Sequence, residues 1–322
     1  MHAYYHTTPQ PSVELLRWAE ATVRGRSGGE NEVVFARWFD AQGEVSQTHT
    51  FASVWAEAGR IAHELRVSWG LGKGDRAILC YGFGLDFFAA FLGCLRAGVL
   101  AVPVYPPSPL TLSKSLTKLQ SIVEACDPKV ILVSGDVNRL RLASKLNFVS
   151  SARRLWPDLP YKVARSSGVS SGGGISKWLG GAGGGGESFD EESLGEGDVA
   201  FLQFTSGSTS EPKGVMVTFG NLEHNARFIS RMSEKSFKSR GFSFSGREEV
   251  GGVRGFSWLP QYHDLGLVMC TLTPFVSGWR MGYMSPLDFV RKPLLWLRLL
   301  SAERAMFGCA PDFSLRLCVR KW

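Results

Sequence analysis

Along residues 53–67, Val54, Ala58, Ile61, Ala62 and Leu65 recur at helical spacing with polar residues between them, which predicts an amphipathic helix. The turn residues GLGKGD follow, and then RAILCY, a short apolar run of strand length. The next segments alternate in kind. GLDFFAAFLGCLRAG reads as a helix, VLAVPVYPP as a strand halted by prolines, KLQSIVEAC as a helix and KVILVSG as a strand. Strand, helix, strand, helix, strand is the rhythm of parallel crossover units. The predicted fold class is therefore α/β, with layered sheets flanked by helices.

The pattern breaks between Ser166 and Glu187, where the chain is almost wholly glycine and serine apart from an ISKWL island. Such a segment cannot bury enough apolar surface to offset its ordering entropy, so 166–187 reads as a flexible loop or linker. It separates a first α/β segment, 13–165, from a second, 188–322. In the second segment DVAFLQFT and GVMVT read as strands on either side of a hydroxyl-rich loop. NLEHNARFISRM reads as a helix with Asn221 near its cap, and residues 236–255 as another glycine- and serine-bearing loop. FSWLP is a short strand. HDLGLVMCTLTPF opens a helix for which Asp264 is the expected N-cap, and Ser285 heads SPLD, a capping-box pattern with proline at the first helical position.

Composition narrows the classes. At 322 residues with 44% hydrophobic content, the chain suits one large or two ordinary domains with a real core. The net charge of +7 is spread along the chain, and Arg139, Arg141, Lys145, Arg153 and Arg154 read as solvated helix faces. No zinc-finger, arginine-rich or aromatic-basic pattern accompanies them, so a nucleic-acid partner is not expected. None of the six cysteines forms a CxxC pair, and the N-terminus lacks a secretory signal, so a reducing, cytoplasmic setting is expected. The apolar run from Phe87 to Tyr105 contains Arg96 and Pro103 and reads as a buried helix and strand, not a transmembrane segment. GFGLDF, at Gly82, lacks the third glycine and the acidic residue of a dinucleotide fingerprint.

The candidate chemistry lies in FLQFTSGSTSEPKGVMV, residues 201–217. A polyphosphate grip needs glycines for close backbone approach, hydroxyls that donate to oxygens, and a cation. Thr205, Ser206, Ser208 and Thr209 supply hydroxyls, Gly207 and Gly214 supply freedom, and Lys213 supplies the charge. The lysine precedes the last glycine and no serine or threonine follows the pair, so this is not a Walker A loop. On these residues alone, a phosphate grip and a plain exposed hairpin turn stand level.

TSGSTSEPKGVMV resembles the phosphate-binding signature of the adenylate-forming (AMP-binding) superfamily, and the rest of the chain looks most like its fatty acyl-AMP ligase and long-chain acyl-CoA synthetase branches. GDRAILCYGFGLDFFAAFLGCLRAGVLAVPVYPP, FSWLPQYHDLGLV, YMSPLDFVRKPLLWLRLLS and PDFSLRLCVRK resemble further motifs in the expected order, so the resemblance covers residues 13–160 and 190–321. It implies the N-terminal domain of that fold, here incomplete, and activation of a fatty acid by ATP and Mg²⁺ to acyl-adenylate and pyrophosphate. The acyl group would then pass to an acyl carrier protein's phosphopantetheine or to CoA. By motif match Thr205, Ser206, Gly207, Ser208, Thr209, Lys213 and Gly214 would hold the ATP phosphates. His263 would stand beside the carboxylate as a catalytic residue, while Trp258 and Tyr262 pack and Asp264 caps.

Departures from the family pattern are Ser210 for glycine, Phe219 for histidine, Cys309 and Ala310 for a glycine pair, and Asp312 for asparagine. The family's adenine, ribose and magnesium contacts and its catalytic lysine would all fall beyond Trp322. The resemblance therefore implies a truncated chain, weakly active or inactive by itself, with a non-catalytic ATP-binding or regulatory fragment as the other reading.

Overall fold

The structure, a computed structural model, describes residues 13–26, 33–146, 155–163, 194–205, 212–241 and 253–322. The glycine- and serine-rich break at 166–187 lies outside them. The chain divides into two compact units whose sequences interleave, one built mainly from Trp55–Gly82 and Asp86–Phe219, the other from Leu15–Val54, Phe83–Leu85 and Gly220–Trp322.

The first unit is the α/β layer that the hydrophobic pattern predicts. Its strands are β3 (Arg76–Cys80), β4 (Leu100–Pro103), β5 (Val130–Val133), β6 (Tyr161–Val163), β7 (Val199–Thr205) and β8 (Lys213–Thr218), in the order β6-β5-β3-β4-β7-β8. All pairings are parallel except β7 with β8. Parallel strands need crossovers, and α3 (Asp86–Ala97), α4 (Leu112–Cys126) and α5 (Gly135–Leu146) supply them. Side chains alternate along a strand, so Ile78, Cys80, Val102, Val104, Ile131 and Val133 share one face. Leu116, Leu119 and Ile122 of α4 cover that face together with Val137 of α5 and Trp156.

The run from Phe87 is α3, buried from Phe87 through Leu95, followed by β4. No described helix is long and apolar enough to cross a membrane. Gly93 lets α3 press against α2 (Phe51–His63), because a Cβ there would lie 2.7 Å from the Ile61 side chain and 3.1 Å from the Ala58 carbonyl oxygen. Arg96, in the last turn of α3, donates to the Trp55 carbonyl at 3.0 Å while its guanidinium sits 4.2 Å from that indole's centre. The stripe predicted for 53–67 is fully buried, although beyond His63 the helix loosens into a π-turn, Glu64–Ser68.

The second unit holds a four-stranded sheet in the order β2-β1-β10-β9, formed by β1 (Val34–Phe39), β2 (Val45–Thr50), β9 (Arg254–Ser257) and β10 (Arg280–Met284). β10 runs parallel to both β1 and β9, while β2 returns antiparallel. Buried Phe35, Phe51 and Phe275 meet with ring centres 5.1 to 5.5 Å apart. Helix α1 (Glu14–Arg26) buries Leu15, Leu16, Ala19 and Val23, and its Thr22 hydroxyl donates to the Val276 carbonyl at 2.6 Å.

Three boundaries differ from the sequence reading. Helix α6 runs from Phe219 to Ser239, so Asn221 sits inside its first turn instead of capping it, and residues 236–239 are helical. Phe219 replaces a polar start with a side chain only 1% exposed, and its amide bonds the Asp198 carbonyl at 3.0 Å. Strand β9 ends at Ser257, leaving Trp258–Pro260 to turn.

Phe91, fully buried and edge-on to Phe201 at 5.5 Å, tests the first core. Urea unfolding of Phe91→Ala is expected to show a loss of about 3–5 kcal/mol. Truncating the 95%-exposed Leu110 is expected to change stability by at most about 0.5 kcal/mol.

Candidate functional site

The phosphate-loop residues stand at the open end of the β7–β8 ladder. Phe204 pairs with Gly214 and Thr205 with Lys213, the last rung before the connection. Residues 206–211, and with them Ser206, Gly207, Ser208, Thr209 and Ser210, lie outside the described residues. Phe204 packs on the core below, and its ring passes 3.0 Å from where a Cβ on Gly214 would be. By alternation, Thr205 and Lys213 therefore share the opposite face, and both are exposed. Thr205 also lies at the carboxyl end of a parallel strand, the end at which open α/β sheets take ligands. At that same end, behind β3 and β5, the Gly82 amide donates to the Ser134 hydroxyl at 2.9 Å.

The second candidate segment belongs to the other unit and leaves the carboxyl end of β9. Trp258 is 4% exposed and stacks on Phe289 with ring centres 3.9 Å apart, so it packs as expected. Tyr262 meets Phe83 at 6.0 Å. Between them the chain reverses tightly, with the His263 amide bonded to the Pro260 carbonyl at 3.1 Å. Gly266 closes this turn, since a Cβ there would lie 2.1 Å from the Pro260 oxygen.

His263 is exposed, and its Nδ1 lies 2.5 Å from Asp264 Oδ1. The Leu265 amide lies 2.7 Å from that same carboxylate oxygen and 3.4 Å from His263 Nδ1. The shorter contact satisfies the amide, so Nδ1–H donates to Asp264 and leaves Nε2 as the free ring position. Asp264 thus does what the sequence assigned to it, capping the helical stretch that follows, and it also orients the imidazole. That stretch, Leu265–Leu272, is π-helical, and the Thr271 hydroxyl donates five residues back to the Gly266 carbonyl at 2.8 Å. Ser285 caps Pro286–Arg291 by accepting from the Leu287 amide at 3.1 Å.

Sequence reasoning passed over two features here. Gln261, two residues before His263, is 4% exposed, and neither its amide nitrogen nor its amide oxygen has a partner among the described residues. A buried unsatisfied amide is costly, and the signal was one polar residue inside WLPQY. The other is a thiol pair. The buried Cys270 thiol beside it draws the half-buried Cys309 thiol below its ordinary range, while Cys309 also lies 3.6 Å from Met269 Sδ. The other four cysteines are buried and free, as their apolar runs predict.

The model for "AMP-binding enzyme" matches residues 25–321. The chain is 31% identical over 269 residues to the medium-chain-fatty-acid–acyl-carrier-protein ligase JamA of Moorena producens, covering 82% of this chain and 39% of that protein. It is 30% identical over 290 residues to the long-chain-fatty-acid–AMP ligase FadD23 of Mycobacterium tuberculosis, covering 88% and 43%. The fatty acyl-adenylate ligase of Legionella pneumophila, solved with acyl adenylate and pyrophosphate, superposes with a TM-score of 0.72 at 30% identity. That alignment covers 94% of this chain and 46% of the other. The chain therefore spans about two fifths of the length of the curated relatives it matches.

Two outcomes test the local geometry. Gly266→Ala is expected to lower the melting temperature by several degrees, because the new methyl group meets backbone; an unchanged melting curve would show that the turn is wrongly described. As pH rises from neutral, Cys309 should react with iodoacetamide before the other thiols, because its thiolate forms at lower pH. Burial pushes Cys80 up to about 12, so it should stay unlabelled in the native protein. Peptide mass mapping reads the order.

Proposed function

The chain belongs to the AMP-binding enzyme family, and from that premise we propose that it carries the phosphate-holding and carboxylate-side parts of a ligase that activates a fatty acid as its acyl-adenylate. The observation that supports this reading most is the family match across residues 25–321, with the Thr205–Lys213 rung at the mouth of the signature loop. The names of the relatives supply the substrate class.

In the proposed reaction a fatty-acid carboxylate oxygen attacks the α-phosphorus of ATP, and the bond to the bridging oxygen breaks. Pyrophosphate leaves with the electron pair. Negative charge builds on the departing β- and γ-phosphates, which is where Thr205, Ser206, Gly207, Ser208, Thr209, Gly214 and Lys213 would act. Hydroxyls, amides and one ammonium held at those oxygens would stabilise that charge. His263, held by Asp264 with Nε2 free, would donate toward the incoming carboxylate when protonated. Among the described residues no three His, Cys, Asp or Glu side chains gather as metal ligands. A Mg²⁺ ion would accompany the ATP phosphates, whose oxygens it favours as ligands. The activated acyl group would pass to a thiol, on an acyl carrier protein's phosphopantetheine or on CoA.

ATP titration of the 322-residue chain tests the phosphate grip. Lys213→Ala should weaken binding about tenfold, the scale of one charge-assisted contact. Equal affinities in the two chains would sink the assignment. For the reaction itself, any entry of labelled pyrophosphate into ATP should depend on a fatty acid, and exchange without one would overturn the substrate class.

A further inference from the structure

At the amino ends of β1, β10 and β9, inside the second unit, lies a cavity of about 400 Å³. Arg37, Arg254, Arg280 and Glu303 line it, with Gly255 and Gly282 among the backbone positions. Sheet register brings the cations together. Arg280 is in register with Arg254 on the neighbouring parallel strand, and Arg37 is in register with Gly282, two residues beyond Arg280. Register partners and alternate residues share a face, so all three guanidinium groups leave the same side of the sheet.

This arrangement is unfavourable as it stands. Like charges directly opposite on adjacent strands repel. The only carboxylate lining the cavity among the described residues is that of Glu303, which pairs with Arg37 at 3.4 Å. Among the described residues neither Arg254 nor Arg280 forms an ion pair, and the Arg280 Nε is buried without a hydrogen-bond partner. Burial, and then the charges of Arg254 and Arg37, hold Arg280 below the usual arginine range. Arg26 adds a further positive charge near Arg280 while donating to the Gly278 carbonyl at 2.9 Å. A cavity that gathers opposed, like-charged arginines, one of them partly desolvated, with one described carboxylate to offset them, is stabilised by an anion.

We propose that this cavity is an anion site for a phosphoryl group or a similar doubly charged oxyanion, separate from the ATP site. None of the residues assigned to ATP lines it. Guanidinium forks match phosphate oxygens two at a time, and a dianion balances the two arginines that Glu303 leaves unpaired. The cavity exceeds the size of a lone phosphate, and Val33, Phe35 and Met281 give it apolar wall, so a phosphate-bearing small molecule suits it better than a bare ion.

Inorganic phosphate is the probe, titrated calorimetrically into the 322-residue chain against chloride of equal ionic strength. Saturable binding is expected in the unaltered chain and in Lys213→Ala, and it should weaken at least about tenfold in both Arg254→Gln and Arg280→Gln. Without phosphate, Arg254→Gln should melt higher than the unaltered chain, because it removes repulsion, and phosphate should raise the melting temperature of the unaltered chain and of Lys213→Ala but not of the two arginine variants. Should one arginine variant fail to fold, the other decides. Three results overturn the proposal: no phosphate binding beyond chloride, undiminished binding in the folded arginine variants, or loss of binding in Lys213→Ala alone. Because the loop variant and the cavity variants are read separately, failure here leaves the ATP assignment standing, and the converse holds.

Discussion

The antiparallel register of β7 against β8 is the constraint on which the proposed phosphate grip depends. Every other pairing in that sheet is parallel and requires a crossover, whereas this one doubles back on itself. A shift of one residue would turn Thr205 and Lys213 toward the core and bring Phe204 out. Phe204 over Gly214 prevents that, because the large ring fits only beside a residue without a side chain. The hydrophobic contact below the ladder thus decides which polar groups are offered above it. The ordered motifs of the sequence carry the family assignment, and this register gives them a physical reason to work.

What could be read in advance was local. Strands β3, β4 and β5 with their helices are consecutive, apolar and punctuated by glycine and proline, so periodicity alone laid out the α/β layer. Strands β1, β2 and β10 were not read. β10 runs through Arg280, Gly282 and Tyr283 without clean alternation, and its partner β1 lies more than two hundred residues away in sequence. Such pairing leaves no local trace. Helix α6 was read short because the serines near its end suggested a loop, yet buried Phe237 against Trp279 extends it. Asp264 and Ser285 were legible because a cap depends on its own neighbours. Lys213 and His263 were legible as motif members, but the imidazole's orientation needed the distance to Asp264.

The two units meet the problem of charge differently. In the first, Arg96 is half-buried and satisfied, with a carbonyl acceptor and an indole face, at the joint between α2 and α3. In the second, Arg254 and Arg280 oppose each other without such partners among the described residues. The first arrangement is the usual fate of a buried cation; the second departs from the local consistency that a foldable chain otherwise shows, and departures of that kind gather at functional sites. Gln261 belongs to the same class, a buried amide without partners one short turn from His263.

The π-helical stretch Leu265–Leu272 has a consequence for how this chain tolerates change in length. Each of its carbonyls bonds one residue further along than in an α-helix, so the segment already accommodates an extra residue. Deleting one residue there would not open a gap. It would let the ladder relax into ordinary α-helical winding and leave the side chains beyond it near their present phase. Tyr283, whose hydroxyl reaches the Cys270 carbonyl at 2.7 Å, marks the phase that the wider winding maintains. In this stretch a one-residue deletion is absorbed by rewinding, whereas the same change in an ordinary α-helix would turn one face of the helix into another.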